Sequence, residues 1–97
     1  MHNRVVGFEW GKESKAGANF RKHGIRMPEA IPLFDDPNAM TIADEESDPG
    51  EQRFVTVGLG AVGRLLVVVC TWRDGSIRIM FARPAEAHER EEYEAQP

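Results

Sequence analysis

The chain has 97 residues, of which 41% are hydrophobic and 29% are charged, a composition typical of one small globular domain. The longest apolar run, at residues 65–70, has the length of a strand, and the first ten residues show no signal-peptide pattern, so we expect neither a membrane span nor secretion. The net charge of −4 arises from residues 84–97, because the remainder is balanced and includes a basic segment, residues 12–26. We therefore expect a cytoplasmic protein with a single domain, residues 1–97, whose basic segment is either a phosphate-binding surface or a solvated helix face.

The first half of the chain is predicted to form a short strand and two helices. Residues 5–10 alternate apolar side chains, as a strand does. Residues 12–23 place apolar side chains four apart and end at Gly24, since glycine tolerates the left-handed conformation that closes a helix. Residues 27–34 predict a second short helix, which Pro32 limits or distorts because proline lacks the N–H that a helix needs.

The second half is predicted to form four strands and a terminal helix. Residues 51–59 and 76–83 alternate between two faces, whereas residues 63–72 are apolar on both faces, as in a central strand. An Arg-Asp-Gly turn predicts a tight hairpin between the last two strands. The remaining elements are a strand at 38–43 and a highly charged helix at 85–95.

This order of elements predicts an α+β fold, with two N-terminal helices packed on a mainly antiparallel sheet and followed by a C-terminal helix. The opposite face of the sheet is expected to be partly open, with Arg78 projecting from it. The single cysteine, Cys70, lies in the apolar strand and is expected to be a buried thiol. The packing of the helices on the sheet is expected to involve Phe20, Ile31, Leu33, Ile77 and Phe81.

Seven short segments follow one another in a fixed order between residues 8 and 93. They are Phe8–Trp10, Asn19–Gly24, Phe34–Pro37, Glu51–Gly58, Gly63–Val69, Ile77–Arg83 and Glu89–Tyr93. Together these segments resemble the BrnT toxin family over nearly the whole chain.

The resemblance implies a toxin of a bacterial type II toxin–antitoxin system, with a compact fold similar to RelE-type ribonucleases. Members of the family cleave RNA without a metal or other cofactor. A BrnA-type DNA-binding antitoxin neutralises them, and the complex reaches operator DNA only through that antitoxin. The resemblance therefore implies two partners for this chain, RNA and an antitoxin, and no membrane.

Metal-independent cleavage uses the 2′-hydroxyl of the RNA as the nucleophile, so the protein must transfer protons and stabilise charge on the phosphate. A histidine or carboxylate suits proton transfer, and the planar guanidinium group suits phosphate oxygens. The histidines are scattered along the sequence, and no cluster predicts a metal site. The candidates for catalysis are His23, Glu51, Arg53, Arg78 and Arg83, and those for RNA binding are Lys12, Lys15, Lys22 and Trp10.

Each candidate also has a structural interpretation. His23 can complete the first helix, where a cation suits the helix dipole. Glu51 can pair with Arg53 on the same strand face, and Arg83 can pair with glutamates of the terminal helix. Trp10 can belong to the core. Arg78 is harder to explain structurally, because an arginine within a sheet needs a partner or a ligand.

The sequence departs from the family pattern in two places. The family commonly has Ala-Arg-Lys-Ala after the last strand and a basic final helix, whereas Pro84 replaces the lysine here and the helix is acidic. The loop at 44–50 lacks the histidine that the family often carries. These departures support a second hypothesis, in which the protein is catalytically weak or inactive and serves as antitoxin-binding partner and transcriptional co-repressor.

Overall fold

The computed structural model describes residues 7–97 and shows an α+β fold with a five-stranded mixed sheet and three helices. The first two residues of the predicted strand at 5–10 lie outside the described residues. Within residues 7–97, none of the helices has the length and apolarity needed to span a bilayer. The strands are β1 (Gly7–Trp10), β2 (Met40–Ala43), β3 (Arg53–Leu59), β4 (Leu65–Arg73) and β5 (Ser76–Pro84); the helices are α1 (Glu13–His23), a 3-10 helix (Met27–Asp35) and α2 (Ala87–Glu94), and a short 3-10 turn (Ala61–Gly63) precedes β4.

The sheet has the strand order β1-β5-β4-β3-β2. The predicted meander of β3, β4 and β5 is confirmed, and its last hairpin turns at Asp74 and Gly75, whose φ angles of 51° and 84° suit a two-residue turn. β1 pairs with β5 in parallel, so the sheet is mixed rather than wholly antiparallel. The parallel pairing places the start of α1 beside the last strand, which matters for the site described below.

The first face of the sheet carries the core. The second predicted helix is a 3-10 helix that contains Pro32, in agreement with the expectation that this proline would distort it. Cys70 is buried as predicted, and burial raises the pKa of its thiol to about 11. The buried core consists of Ile25, Met27, Ala30, Leu33, Leu66, Val68, Cys70, Ile77, Ile79 and Ala82.

A β-bulge in β5 corrects the predicted packing of Phe81. Val69 pairs with Phe81 but the next residue, Cys70, pairs with Ile79, so Met80 has no partner and the alternation of side chains is interrupted. Paired residues share a face, and Phe81 therefore lies on the second face while Ile79 lies in the core. The expectation that Phe81 packs under the helices is wrong. Phe20 is also not a core residue, since it is 39% exposed on α1.

Asn19 attaches α1 to the edge of β5. β1 pairs only with residues 76–79, which leaves the backbone of β5 beyond Ile79 without a strand partner there. The buried Asn19 amide donates to the carbonyl of Ala82 (3.0 Å) and accepts from its N–H (3.1 Å), as a neighbouring strand would. It also donates to the carbonyl of Ile25 (2.9 Å), just after α1 ends at Gly24 with φ of 71°. These bonds fix the last two turns of α1 beside Phe81.

α2 lies across one end of the sheet. At its start Glu89 binds Arg83 of β5, and near its end the Tyr93 hydroxyl donates to Asp36 (2.6 Å), which also accepts from the N–H of Leu59 on β3. Burial raises the pKa of Asp36, but hydrogen bonds from Tyr93, Leu59 and the following loop outweigh it and hold the pKa below its ordinary value. The terminal helix is therefore attached to the sheet near both of its ends.

Candidate functional site

Four polar side chains form a row across the second face of the sheet. The strand registers pair Glu9 with Arg78, Arg78 with Thr71, and Thr71 with Arg53, so these residues share one face. Neighbouring strands are about 4.8 Å apart, and the backbones at Arg53 and Arg78 are thus separated by about 10 Å. The expected position of Arg78 on the face opposite the core is confirmed.

A groove of about 310 Å³ lies between α1 and β5, next to this row. From α1 it is lined by Lys15, Lys22 and His23, and from β5 by Phe81. The imidazole of His23 lies nearly parallel to the Phe81 ring, with 6.3 Å between the ring centroids. The hydrogen bonds of Asn19 hold the two walls together, so the groove has a fixed width near His23. Three of the residues predicted from sequence are therefore neighbours in space.

Arg78 does not line the groove itself but lies next to Lys15, which does. A side-chain carbon placed on Gly11 would lie 3.3 Å from Cδ of Lys15 and 3.6 Å from Nη2 of Arg78, so both cations pass beside Gly11. The Glu9 carboxylate contacts Arg78, with its Oε1 3.5 Å from Nη1 of the guanidinium group. Lys22 and His23 thus line the groove together with Lys15, and Arg78 lies beside Lys15 with Glu9 as its ion-pair partner; we call the four basic residues the basic cluster.

The two arginines of β5 are held very differently. Arg83 donates to both carboxylate oxygens of Glu89, at 2.8 and 2.7 Å, in a pair of which both side chains are more than two-thirds buried. The hydrogen bond from Arg83 lowers the pKa of Glu89 from 4.5 to about 2, and the same contact raises the pKa of Arg83. Among the side chains that the structure describes, Arg78 forms an ion pair only with Glu9, over a longer distance and with both partners partly exposed. Arg78 is therefore available to an anionic ligand, whereas Arg83 is occupied.

Glu51 and Arg53 do not pair with each other. Glu51 precedes β3 and contacts Arg73 at 3.2 Å, beside the β4–β5 hairpin. Arg53 contacts Asp44 at 3.3 Å across the β2–β3 connection. The alternative of a mutual pair is wrong, because each side chain forms its ion pair with a residue on a different neighbouring segment. Both lie outside the groove lined by His23.

Trp10 and Lys12 occupy other surroundings. Trp10 packs against the core and lines a second groove with Phe20 and Arg26, on the core side of α1. The Arg26 guanidinium carbon lies 4.1 Å from the centre of the Phe20 ring. Lys12 is exposed, and its carbonyl accepts the first N–H groups of α1. The structure thus separates Trp10 from the basic cluster and leaves Lys12 at the start of α1.

Within residues 7–97, one group of side chains brings possible metal ligands within 4.8 Å of one another: Glu86, His88 and Glu89. The sequence analysis did not expect such a group. Both oxygens of Glu89 already accept hydrogen bonds from Arg83, and one of them also accepts from the N–H of Glu86. We therefore assign this group to the attachment of α2.

Two residues of the groove region were not predicted from the sequence, Glu9 and Phe81. Glu9 lies in the predicted first strand, but its contact with Arg78 depends on the parallel pairing of β1 with β5. Phe81 was assigned to the core because strict alternation along 76–83 groups it with Ile77 and Ile79. No pattern in the sequence predicts the bulge at Met80. The one indication is Arg83, because strict alternation would place this charged side chain on the core face together with Phe81.

Known protein families offer a direct comparison with this fold and site. No curated protein sequence matches the chain. A family model described as the ribonuclease toxin BrnT of type II toxin–antitoxin systems matches residues 10–89. That match includes α1, the whole meander and the first residues of α2, and therefore both walls of the groove. The chain belongs to the BrnT family of ribonuclease toxins of type II toxin–antitoxin systems.

Proposed function

We propose that the protein is a metal-independent endoribonuclease toxin whose active site is the groove between α1 and β5. The observation that carries this proposal is a groove lined by Lys15, Lys22 and His23, with Arg78 lying beside Lys15. Family membership supplies the class of reaction. We further propose that residues 1–97 form a single toxin domain that acts in the cytoplasm. We also propose a RelE-like arrangement for this domain, which is supported by the order of helices before an antiparallel meander.

The proposed roles follow from the chemistry of each group. His23 transfers a proton to or from the RNA, because it is the imidazole that lines the groove. Arg78 stabilises the negative charge that develops on the phosphate, since its guanidinium group is only loosely held by Glu9. Glu9 is our candidate for the second proton-transfer group. Lys15 and Lys22 hold the RNA backbone.

The other predicted residues have specific alternative roles. Arg83 is tied to Glu89, and Glu51 and Arg53 form ion pairs outside the groove. Their direct part in cleavage stays a prediction that substitution can test. Trp10 and Lys12 likewise stay predicted RNA contacts.

The occupied state of Arg83 supports a second candidate function. With this cation bound to Glu89 and an acidic α2 beside it, the protein has fewer free phosphate-binding groups than the family pattern provides. In this alternative it binds an antitoxin and acts as a co-repressor without efficient cleavage. In either case we propose a BrnA-type antitoxin as the partner, with operator DNA reached through it.

Cleavage of RNA by purified, antitoxin-free protein in EDTA distinguishes the two candidates. The matched pair of variants is His23→Gln and His88→Gln, since His88 is an exposed histidine of α2 away from the groove. We expect wild type and His88→Gln to cleave equally and His23→Gln to lose about 100-fold or more, the typical worth of a general acid or base. Circular dichroism checks folding. Equal cleavage by the two folded variants would remove His23 from the site, and a wild type that cleaves neither free nor ribosome-bound RNA favours the co-repressor.

The arginine of the site has its own test. Arg78→Lys keeps the charge but loses the planar two-pronged contact, so it should bind RNA at low salt and cleave slowly. Arg78→Ala should lose both properties. Arg90→Lys, on the exposed surface of α2, is the matched control. If Arg78→Ala cleaves as fast as wild type, Arg78 serves only as the ion-pair partner of Glu9.

A further inference from the structure

We propose that Phe81 is a stacking platform for one unpaired base, so that the groove selects single-stranded over double-stranded RNA. This inference rests on the proposed function, because it assigns a specificity residue to the same site. It goes beyond that function, since neither cleavage chemistry nor charge requires an aromatic ring at this position.

The exposure and position of the Phe81 ring carry the inference. Phe81 is 39% exposed, although it lies in the middle of a strand whose neighbours Ile79 and Ala82 are buried. The bulge at Met80 turns the ring out of the core and into the groove. Bulges of this kind frequently re-aim a side chain next to an active site. A phenylalanine in this place forgoes part of the stabilisation that full burial would give, because 39% of the residue stays in water.

The surroundings of the ring suit a nucleotide. Lys15 and Lys22 line the same groove and can bind the phosphates on either side of a base that rests on the ring. His23 lies against Phe81 and keeps the base next to the proposed proton-transfer group. A groove of about 310 Å³ is at the lower end of the range for small-ligand sites and suits one nucleotide rather than a duplex.

Stacking on Phe81 requires a base that is free of its own partners. In an A-form duplex the base faces are covered by the neighbouring base pairs, and the major groove is too narrow for side chains to reach them. An unpaired base can leave the stack and place its face on an aromatic ring, as in many proteins that bind single strands. The ring therefore discriminates by strandedness and is tolerant of sequence.

Phe20 provides a matched control within the same protein. It is also 39% exposed, but it lies on the other side of α1, and the Arg26 guanidinium group covers its ring. Phe20 and Phe81 are thus phenylalanines of equal exposure, of which only Phe81 lines the groove with the basic cluster.

The test measures binding rather than cleavage. The probe is a fluorescein-labelled oligonucleotide of 2′-O-methyl RNA, which cannot be cleaved because its nucleophile is blocked. Three forms are compared by fluorescence anisotropy: the single strand, the same strand hybridised to its complement, and a strand of the same length with abasic sites. The variants are Phe81→Leu, Phe81→Trp and Phe20→Leu, each checked by circular dichroism.

We expect Phe81→Leu to weaken binding of the single strand by about 5- to 150-fold, which is the effect of losing one stacked base. Phe81→Trp should bind at least as tightly as wild type, and Phe20→Leu should not differ from it. On the abasic strand, wild type and Phe81→Leu should bind equally, because only the phosphates remain. Wild type should bind the duplex more weakly than the single strand.

Three results overturn the inference: a wild type that binds none of the probes, equal binding of the single strand by wild type and folded Phe81→Leu, or equal loss on the abasic strand. Equal binding of the single strand would leave the exposed ring as a contact for a protein partner. The outcome is separate from that of the proposed function. A protein that stacks bases on Phe81 but cleaves no RNA refutes the nuclease proposal alone, and a protein that cleaves RNA without using Phe81 refutes this inference alone.

Discussion

The two-pronged contact between Arg83 and Glu89 is expected to hold α2 on the sheet, and Glu89→Gln is the change that tests it. Glutamine keeps the size of the side chain but cannot accept two charge-assisted hydrogen bonds from one guanidinium group. A further hydrogen bond holds the Glu89 carboxylate in position, since one of its oxygens also accepts from the N–H of Glu86 at 2.7 Å. Removing the charge also leaves the mostly buried Arg83 guanidinium without its counter-ion.

The size of the effect follows from the pKa of Glu89. Its fall from 4.5 to about 2 corresponds to about 3–4 kcal/mol, at about 1.4 kcal/mol for each pKa unit. The Arg83 side chain is still 27% exposed and that of Glu89 15%, so solvent screening reduces the interaction. We expect Glu89→Gln to lower the free energy of unfolding by about 1–2 kcal/mol at pH 7.

The pH dependence has a definite sign. Because the pKa of Glu89 is lowered in the folded state, its contribution is complete above about pH 4.5 and is lost as the pH falls toward 2. The stability difference between wild type and Glu89→Gln should therefore be constant from pH 7 to about 5 and shrink below 4.5. Glu92→Gln, an exposed glutamate on the same helix, is the control and should show no such difference.

Urea unfolding followed by circular dichroism measures the global free energy, and amide hydrogen exchange measures the opening of α2 by itself. Both are needed, because a helix at the end of the sheet can detach before the core unfolds. If Glu89→Gln unfolds like wild type and its α2 amides exchange at the same rate, the ion pair contributes nothing. A stability difference that persists unchanged at pH 2–3 would show that the effect comes from something other than the charge of Glu89.

Three further predictions concern the framework and the partner. Asn19→Ala should lower the free energy of unfolding by about 2–4 kcal/mol in urea titrations, because it leaves the N–H and carbonyl of Ala82 unpaired in a buried place. Gly60→Ala should lower the free energy of unfolding more than Gly24→Ala, because a new methyl group at Gly60 would lie 2.5 Å from Leu66. At Gly24 the methyl group meets open space, and the loss is only the backbone strain of about 1–2 kcal/mol. Paired thermal melts of the two variants measure the difference. Binding of the antitoxin to the basic segment should depend on salt mainly through the association rate; a rate that does not change between low and high salt in stopped-flow mixing would indicate an apolar interface.

Local signals in the sequence were sufficient for most of the elements. Gly24 and the Asp74–Gly75 turn have the positive φ angles that their residue types favour, so the end of α1 and the last hairpin could be placed correctly. The burial of β4 on both faces followed from its continuous apolar run. The α+β fold class was predicted because the helices are grouped before a run of strands, and such helices pack on the sheet that the later strands form.

The remaining features depend on long-range contacts that no local pattern reports. The parallel pairing of β1 with β5 joins residues about 70 positions apart, and the contact of Glu9 with Arg78 follows from it. The bulge at Met80 changes the face of every residue after it, which is why Phe81 was assigned to the core face. The Glu51–Arg53 pair was predicted from their spacing, but each residue has a better partner across a turn.

The acidic α2 bears on RNA binding less than its net charge suggests. Glu89 is neutralised by Arg83, and Glu94 faces Arg90 at 3.7 Å, so the field of the helix comes mainly from its other glutamates. The bulge places Arg78 and Arg83 on the same face, but about 13 Å apart along the strand, which exceeds the Debye length of about 8 Å at physiological ionic strength. The cluster at Arg78 is therefore screened from α2, while the end of the groove nearest Arg83 is not. If the proposed RNA binding is correct, this asymmetry favours a path along the groove toward the start of α1, where Lys15 and Arg78 lie, and away from the terminal helix.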